Sequence, residues 1–131
     1  MSEWQSRAQL WRHFSQPVGG LPLTTPERIA EVFDSTGKQQ LRLEISLAGS
    51  HIRSSAPIIN QAAFQVFGGV ALIACGSWLC EWLPGRSLAE LGTQQPGDIA
   101  TAAASALQLR AAERPAALLA EDAVFKLLAV G

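Results

Sequence analysis

An α+β fold, with helices packed on one face of a small antiparallel sheet, is predicted by two observations and their order along the chain. Leu41, Leu43, Ile45 and Leu47 alternate with Arg42, Glu44 and Ser46, the period of two that a half-buried strand requires. Helix signals gather in the second half: an uncharged run that ends at Cys80, just before Glu81, an alanine-rich stretch, and a long C-terminal pattern with apolar residues at helical spacing. Two or three short strands therefore precede a helical half.

Each element has its own justification. Glu3 to Phe14 reads as an amphipathic helix, with Trp4, Ala8 and Trp11 inward, Leu10 at the margin of that face, and Arg7 and Arg12 outward. Pro17-Val18-Gly19-Gly20 ends it. Thr24-Thr25-Pro26-Glu27 is a capping-box pattern for a second helix, yet Ile29-Ala30-Glu31-Val32-Phe33 suits a strand equally well, and local propensity leaves the choice open. Asp34-Ser35-Thr36-Gly37-Lys38 is a turn cluster, with Asp34 as a turn former through its side chain. Ala48-Gly49-Ser50 closes the alternating strand, and Ile58 to Phe67 supplies the next. Ser87-Leu88-Ala89-Glu90 opens a short helix by a capping box. Gly97-Asp98 caps another through about Leu107, and the last helix runs from about Arg114 to Leu128.

Phe67 to Trp82 raises the question of a membrane, because no formally charged residue occurs from Ser54 to Cys80. A spanning helix needs about 20 apolar residues. The helical part, Val70 to Leu83, is much shorter, and Gly68-Gly69 interrupts any extension towards Gln65, Gln61 and Asn60. Val70, Ile73, Ala74, Ser77 and Trp78 form one face and Leu72, Cys75, Leu79 and Trp82 another, so a core helix buried on most sides is expected.

The 131 residues suit one domain, 1–131, with a single core. Ten Lys and Arg against eleven Asp and Glu give no electrostatic reason to expect nucleic acid or anionic lipid. Met1-Ser2-Glu3-Trp4-Gln5 has neither a basic nor an apolar leader region, so a cytoplasmic location is expected.

Four stretches resemble the iron–sulfur cluster assembly scaffolds of the NifU N-terminal, IscU-like type. His13-Phe14-Ser15-Gln16-Pro17 is similar to the family's His-aromatic-x-x-Pro after its first helix. Ile58-Ile59 through Phe64-Gln65-Val66-Phe67-Gly68 resembles its last strand, and Ile73-Ala74 through Glu81-Trp82, with Gly85-Arg86-Ser87-Leu88, its central helix and following turn. Asp98-Ile99-Ala100 and Leu119-Ala120-Glu121-Asp122-Ala123 resemble its two C-terminal helices, with a four-residue excess between Asp98 and Ala116. The resemblance implies a sheet of about three strands with helices on one face.

It also implies iron or an iron–sulfur cluster, held by three cysteines with an aspartate and often a histidine. Here the first cysteine's turn reads Thr36-Gly37-Lys38, the second position is Gly69, and the third is Ala116, with Pro115 at the histidine. All three thiols are missing, so no cofactor, no metal site and no catalytic residue is expected. Each substitution has a local reading: a helix-start glycine is a tight turn or a generic anion site, alanine packs, and proline suits a first helical turn.

Other residues do not replace the ligands. Cys75 and Cys80 are five apart, roughly 140° around a helix, and read as small buried hydrophobes. His13 reads as a packing or capping residue at a helix end and His51 as a loop residue. Glu121-Asp122 point about 100° apart and read as a solvated helix face. No nucleophile elbow, phosphate loop or paired-His helix is present, so an enzyme is not expected.

The family surface around the cysteines docks a cysteine desulfurase, and a Leu-Pro-Pro-Val-Lys segment recruits a chaperone. The corresponding Leu109-Arg110-Ala111-Ala112-Glu113 has lost both prolines and reversed the lysine's charge. The function expected is that of a non-ligating pseudo-scaffold, a binding or regulatory partner in cluster assembly whose own partner is a desulfurase or another assembly protein. The alternative is a metal or cluster site with non-family ligands, Cys75, Cys80 or a histidine, across a homo-oligomer interface.

Overall fold

The computed structural model describes residues 7–48 and 57–129. Its elements are α1 (Ala8–Ser15), β1 (Arg28–Phe33), β2 (Gln40–Ala48), β3 (Ile58–Phe67), α2 (Val70–Trp82), α3 (Leu88–Gly92), α4 (Asp98–Leu107), a 3-10 turn (Ala111–Glu113) and α5 (Arg114–Ala129). Trp4, Gly49, Ser50 and His51 lie outside the described residues.

The three strands form one antiparallel sheet in the order β1-β2-β3. Register makes its two faces unlike. Ala30, Leu43 and Phe64 share one row, as do Val32, Leu41 and Val66, and this face enters the core with the helices. The opposite face carries rows of Glu31, Arg42 and Gln65 and of Phe33, Gln40 and Phe67. Arg42 bridges Glu31 at 3.1 Å and Glu44 at 3.0 Å there, while Phe33 and Phe67 stay exposed. Pairing with β2 along its whole length decides the segment the sequence left open: Arg28–Phe33 is a strand, since cross-strand partners outweigh a local helix cap.

Both outer strands are tied to neighbouring elements. Lys126 Nζ donates to the carbonyl of Glu31 at 2.7 Å, and Arg28 donates to the carbonyl of Leu127 at 2.8 Å, tying β1 to α5. On β3, the N–H groups of Phe64 and Ile59 donate to the carbonyls of Gly19 and Arg86, both at 2.9 Å.

α2 is the core helix, with Leu72, Ala74, Cys75, Ser77, Trp78, Leu79 and Cys80 buried around most of its circumference. Gly76 permits its close approach to β3, because a Cβ there would run into the ring of Phe64. Among the described residues no helix is long and apolar enough to cross a membrane. Ser87 caps α3 by accepting the N–H of Glu90 at 3.0 Å.

Two readings of the sequence are corrected. The buried face of α1 is Arg7, Leu10 and His13, whereas Ala8 and Trp11 are exposed. Arg7 turns inward because its guanidinium finds Glu113 and the carbonyl of Gln108, which offset its desolvation. Glu121 is not on a solvated face but buried, and its carboxylate accepts the N–H groups of Gly97, Ile99 and Ala100 at the start of α4. Asp122 beside it is exposed as expected.

Candidate functional site

The β1–β2 turn is organised by Asp34. Its carboxylate accepts the Thr36 hydroxyl at 2.9 Å and the Gln39 N–H at 3.0 Å, while its backbone carbonyl accepts the Gly37 N–H at 3.0 Å. These donors, Gln39 foremost, hold the Asp34 carboxyl below the usual range. Gly37 takes φ +73°, which glycine adopts without a Cβ penalty. Thr36 and Gly37 themselves lie exposed on this turn.

The same hairpin carries Gln39 to the start of α2. Since Gln40 pairs with Phe67, Gln39 falls beside Gly68, and its side-chain oxygen accepts the Gly69 N–H at 3.3 Å. Gly69 is the extended N-cap of α2 and its carbonyl accepts the Ile73 N–H at 3.1 Å. A Cβ on Gly69 would meet nothing within 4 Å, whereas one on Gly68 would strike the Gln39 amide. Gly69 is thus a turn whose amide is already taken by Gln39, not an open anion site.

Gly69, Pro115 and Ala116 line one cleft of about 230 Å3, together with Gln39, Ala112 and Glu113. Two of the three sequence-aligned ligand positions therefore meet, while Thr36 and Gly37 are not among the cleft's lining residues. Gln39 is a polar group that the sequence left unnoticed, and Glu113 was read only as a charge reversal in the segment from Leu109, not as part of this cleft. Gln39 carried no local signal, because its approach to Gly69 depends on the pairing of Gln40 with Phe67. Glu113 carried no such signal, because its partner Arg7 is 106 residues away.

Among the described residues Glu113 is the one carboxylate lining the cleft, and it is already engaged. It pairs with Arg7, accepts the Arg110 N–H at 2.8 Å, and is held below the usual glutamate range chiefly by the Arg7 guanidinium. An iron–sulfur cluster needs soft thiolate donors. A glutamine amide, a paired carboxylate and glycine, alanine and proline do not fit one.

Neither cysteine lines this cleft, although Cys75 lies near enough for the Glu113 charge to add to the effect of burial on its thiol. Cys75 and Cys80 are buried on α2, and burial pushes both thiols up to about 12, so each is protonated at neutral pH. His13 is buried as a packing group. Its Nε2 stands 3.1 Å from the Arg12 guanidinium, which only donates, so Nε2 accepts and Nδ1 donates to Ser77 Oγ at 2.7 Å. Ser77 also accepts the Val18 N–H at 2.8 Å. Burial, then the Arg12 charge, lowers the His13 pKa. Among the described residues no three His, Cys, Asp or Glu side chains gather as a metal would require.

Comparison with known proteins follows the same outline. The sequence profile of the NifU-like N terminal domain matches residues 9–130. A nitrogen-fixing NifU-like protein (N-terminal) from Brucella abortus superposes with a TM-score of 0.70 at 14% identity, covering 95% of this chain and 92% of that one. A protein from the thermophile Fervidobacterium islandicum AW-1, assigned as an iron–sulfur cluster assembly scaffold for the SUF system, gives 0.67 at 11% identity, covering 97% and 99%. At such identities these two likenesses speak for the fold. No curated protein matches the sequence.

Proposed function

The chain belongs to the NifU-like N terminal domain family, and on that premise we propose that it serves iron–sulfur cluster assembly without ligating a cluster. In this reading it is a cytoplasmic, non-enzymatic pseudo-scaffold, a binding or regulatory partner of a cysteine desulfurase or another assembly protein. One observation carries the proposal: Gly69, Pro115 and Ala116 still frame a shared cleft, yet no thiolate lines it. A fold kept around a site without donors suits recognition better than cargo holding. The scaffold role assigned to the Fervidobacterium protein supports the assembly context.

The alternative, a cluster or metal ligated by Cys75, Cys80 or a histidine across an oligomer interface, needs for its cysteine ligands thiolates at a surface. Both thiols are buried and protonated, which speaks against it.

Two measurements on the purified chain test the proposal. After anaerobic cluster reconstitution, iron and sulfide are expected to remain far below stoichiometric and no thiolate charge-transfer absorbance to develop; stoichiometric iron and sulfide would overturn the non-ligating reading. A pull-down is expected to recover a desulfurase or another assembly component. Failure to bind any of them would remove the assembly role and leave a repurposed fold.

A further inference from the structure

Helix α1 is held to the protein by polar anchors more than by apolar surface. Leu10 is its one fully buried apolar side chain, and Trp11 is about a third exposed. The Arg12–Glu81 pair is exposed on both sides and contributes little. That leaves His13 on Ser77, and Arg7, which is buried and donates to both Glu113 and the carbonyl of Gln108.

Each partner of Arg7 has a second duty. Glu113 lines the cleft beside Pro115 and Ala116 and accepts the Arg110 N–H, closing the junction between α4 and α5. Gln108 ends α4 at φ +54°, the one non-glycine residue at positive φ among the described residues. Gln108 is the left-handed C-cap of α4, where its N–H and that of Leu109 return to the carbonyls of Ser105 and Ala104, and the Arg7 guanidinium adds a long-range contact on its carbonyl at 3.0 Å.

We propose that the Arg7–Glu113 pair is a latch coupling the docking of α1 to the state of the cleft and of the 108–113 junction. With Arg7 in place, the cleft carboxylate is neutralised, the junction is fixed and α1 is seated. With Arg7 withdrawn, Glu113 keeps the Arg110 N–H but loses its guanidinium partner, the Gln108 carbonyl loses its side-chain donor, and α1 loses one of its two buried polar anchors. Coupling of this kind is reciprocal. A cationic group entering the cleft competes with Arg7 for Glu113 and thereby unseats α1. The device rests on the described contacts alone, independently of any role in cluster assembly.

Hydrogen exchange read by mass spectrometry on the full chain tests it. In Arg7→Met, amide exchange in 8–15 and in 108–116 is expected to rise together by about tenfold or more, with β2 and β3 unchanged. Glu113→Gln is expected to reproduce both effects, and the double variant to exchange no faster than the faster single one. Arg7→Lys, which keeps the charge but loses the guanidinium fork, is expected to fall between, and it decides the matter if Arg7→Met loosens the whole chain. A rise in one segment without the other, or single effects that multiply in the double variant, would overturn the latch.

Discussion

The carboxylate of Glu121 accepts the backbone N–H of Gly97 on both of its oxygens, each at 3.0 Å. Ile99 and Ala100 donate to it as well, so one buried side chain of α5 serves as the N-cap of α4 from a different element. Glu121→Gln keeps the shape but replaces one acceptor oxygen with a donor facing donors. A loss of about 2–4 kcal/mol is expected, read as a fall in Tm of about 10 °C. A change below about 0.5 kcal/mol would mean that solvent satisfies the start of α4 without Glu121.

Gly76 and Phe64 occupy one space from opposite sides. Gly76→Ala is expected to destabilise by about 2 kcal/mol through overpacking. Combining it with Phe64→Leu should recover part of that loss, so the double variant is more stable than the two single costs added together. Strict additivity in urea unfolding would show that the ring is not what the new methyl meets.

The lowered His13 pKa has a defined sign. The folded protein keeps the ring neutral, while the unfolded chain binds a proton near the ordinary value of 6.5. Below that value the unfolded state holds more protons, so stability falls as pH drops from about 7 towards 5. Glu113 and Glu81, both held low by arginine partners, add their own loss below the usual glutamate value of 4.5. His13→Asn is expected to flatten the slope between about pH 6.5 and 5 in urea midpoints and leave the acidic limb in place.

Cys75 and Cys80 are expected to resist iodoacetamide at pH 8 in the folded protein and to react fully in denaturant. Their thiols, at about 12, supply almost no thiolate, and both are buried, although Cys80 lies at the floor of an open cleft beside Gly19 and Ala62. Mass spectrometry after a timed exposure reads the outcome. Rapid modification of either residue would reopen a ligand role for it.

Gly69→Cys with Ala116→Cys would place two thiols on one cleft. The space beside Gly69 is open, so the first side chain fits without a clash. The double variant is expected to bind Co2+ with thiolate charge-transfer absorbance, at least about tenfold more tightly than either single variant. Equal affinities for the double and single variants would show that the two positions do not converge.

Much of this was legible in the chain. The alternation from Leu41 to Leu47 fixed which face of β2 is inside, α2, α4 and α5 begin and end within a residue or two of their sequence signals, and α3 begins at its own. Local patterns failed where a distant partner decides. Arg7 reads as a solvent-facing arginine until Glu113 folds against it, and Glu121 reads as surface until the start of α4 arrives 21–24 residues upstream in sequence. β1 was undecided because its strand character comes from β2 and not from itself. At the candidate site the absent thiols were plain in the sequence. Gln39 reaching Gly69 was not, since it depends on hairpin register.

The caps on the sheet have a consequence for how this protein meets others. A chain approaching β1 to extend the sheet must first strip Lys126 from the Glu31 carbonyl, leaving an ammonium to be rehydrated, and one approaching β3 finds Phe64 and Ile59 already committed. Backbone-to-backbone addition, the least selective form of protein association, is thereby discouraged on both sides. Recognition at these positions is left to side chains.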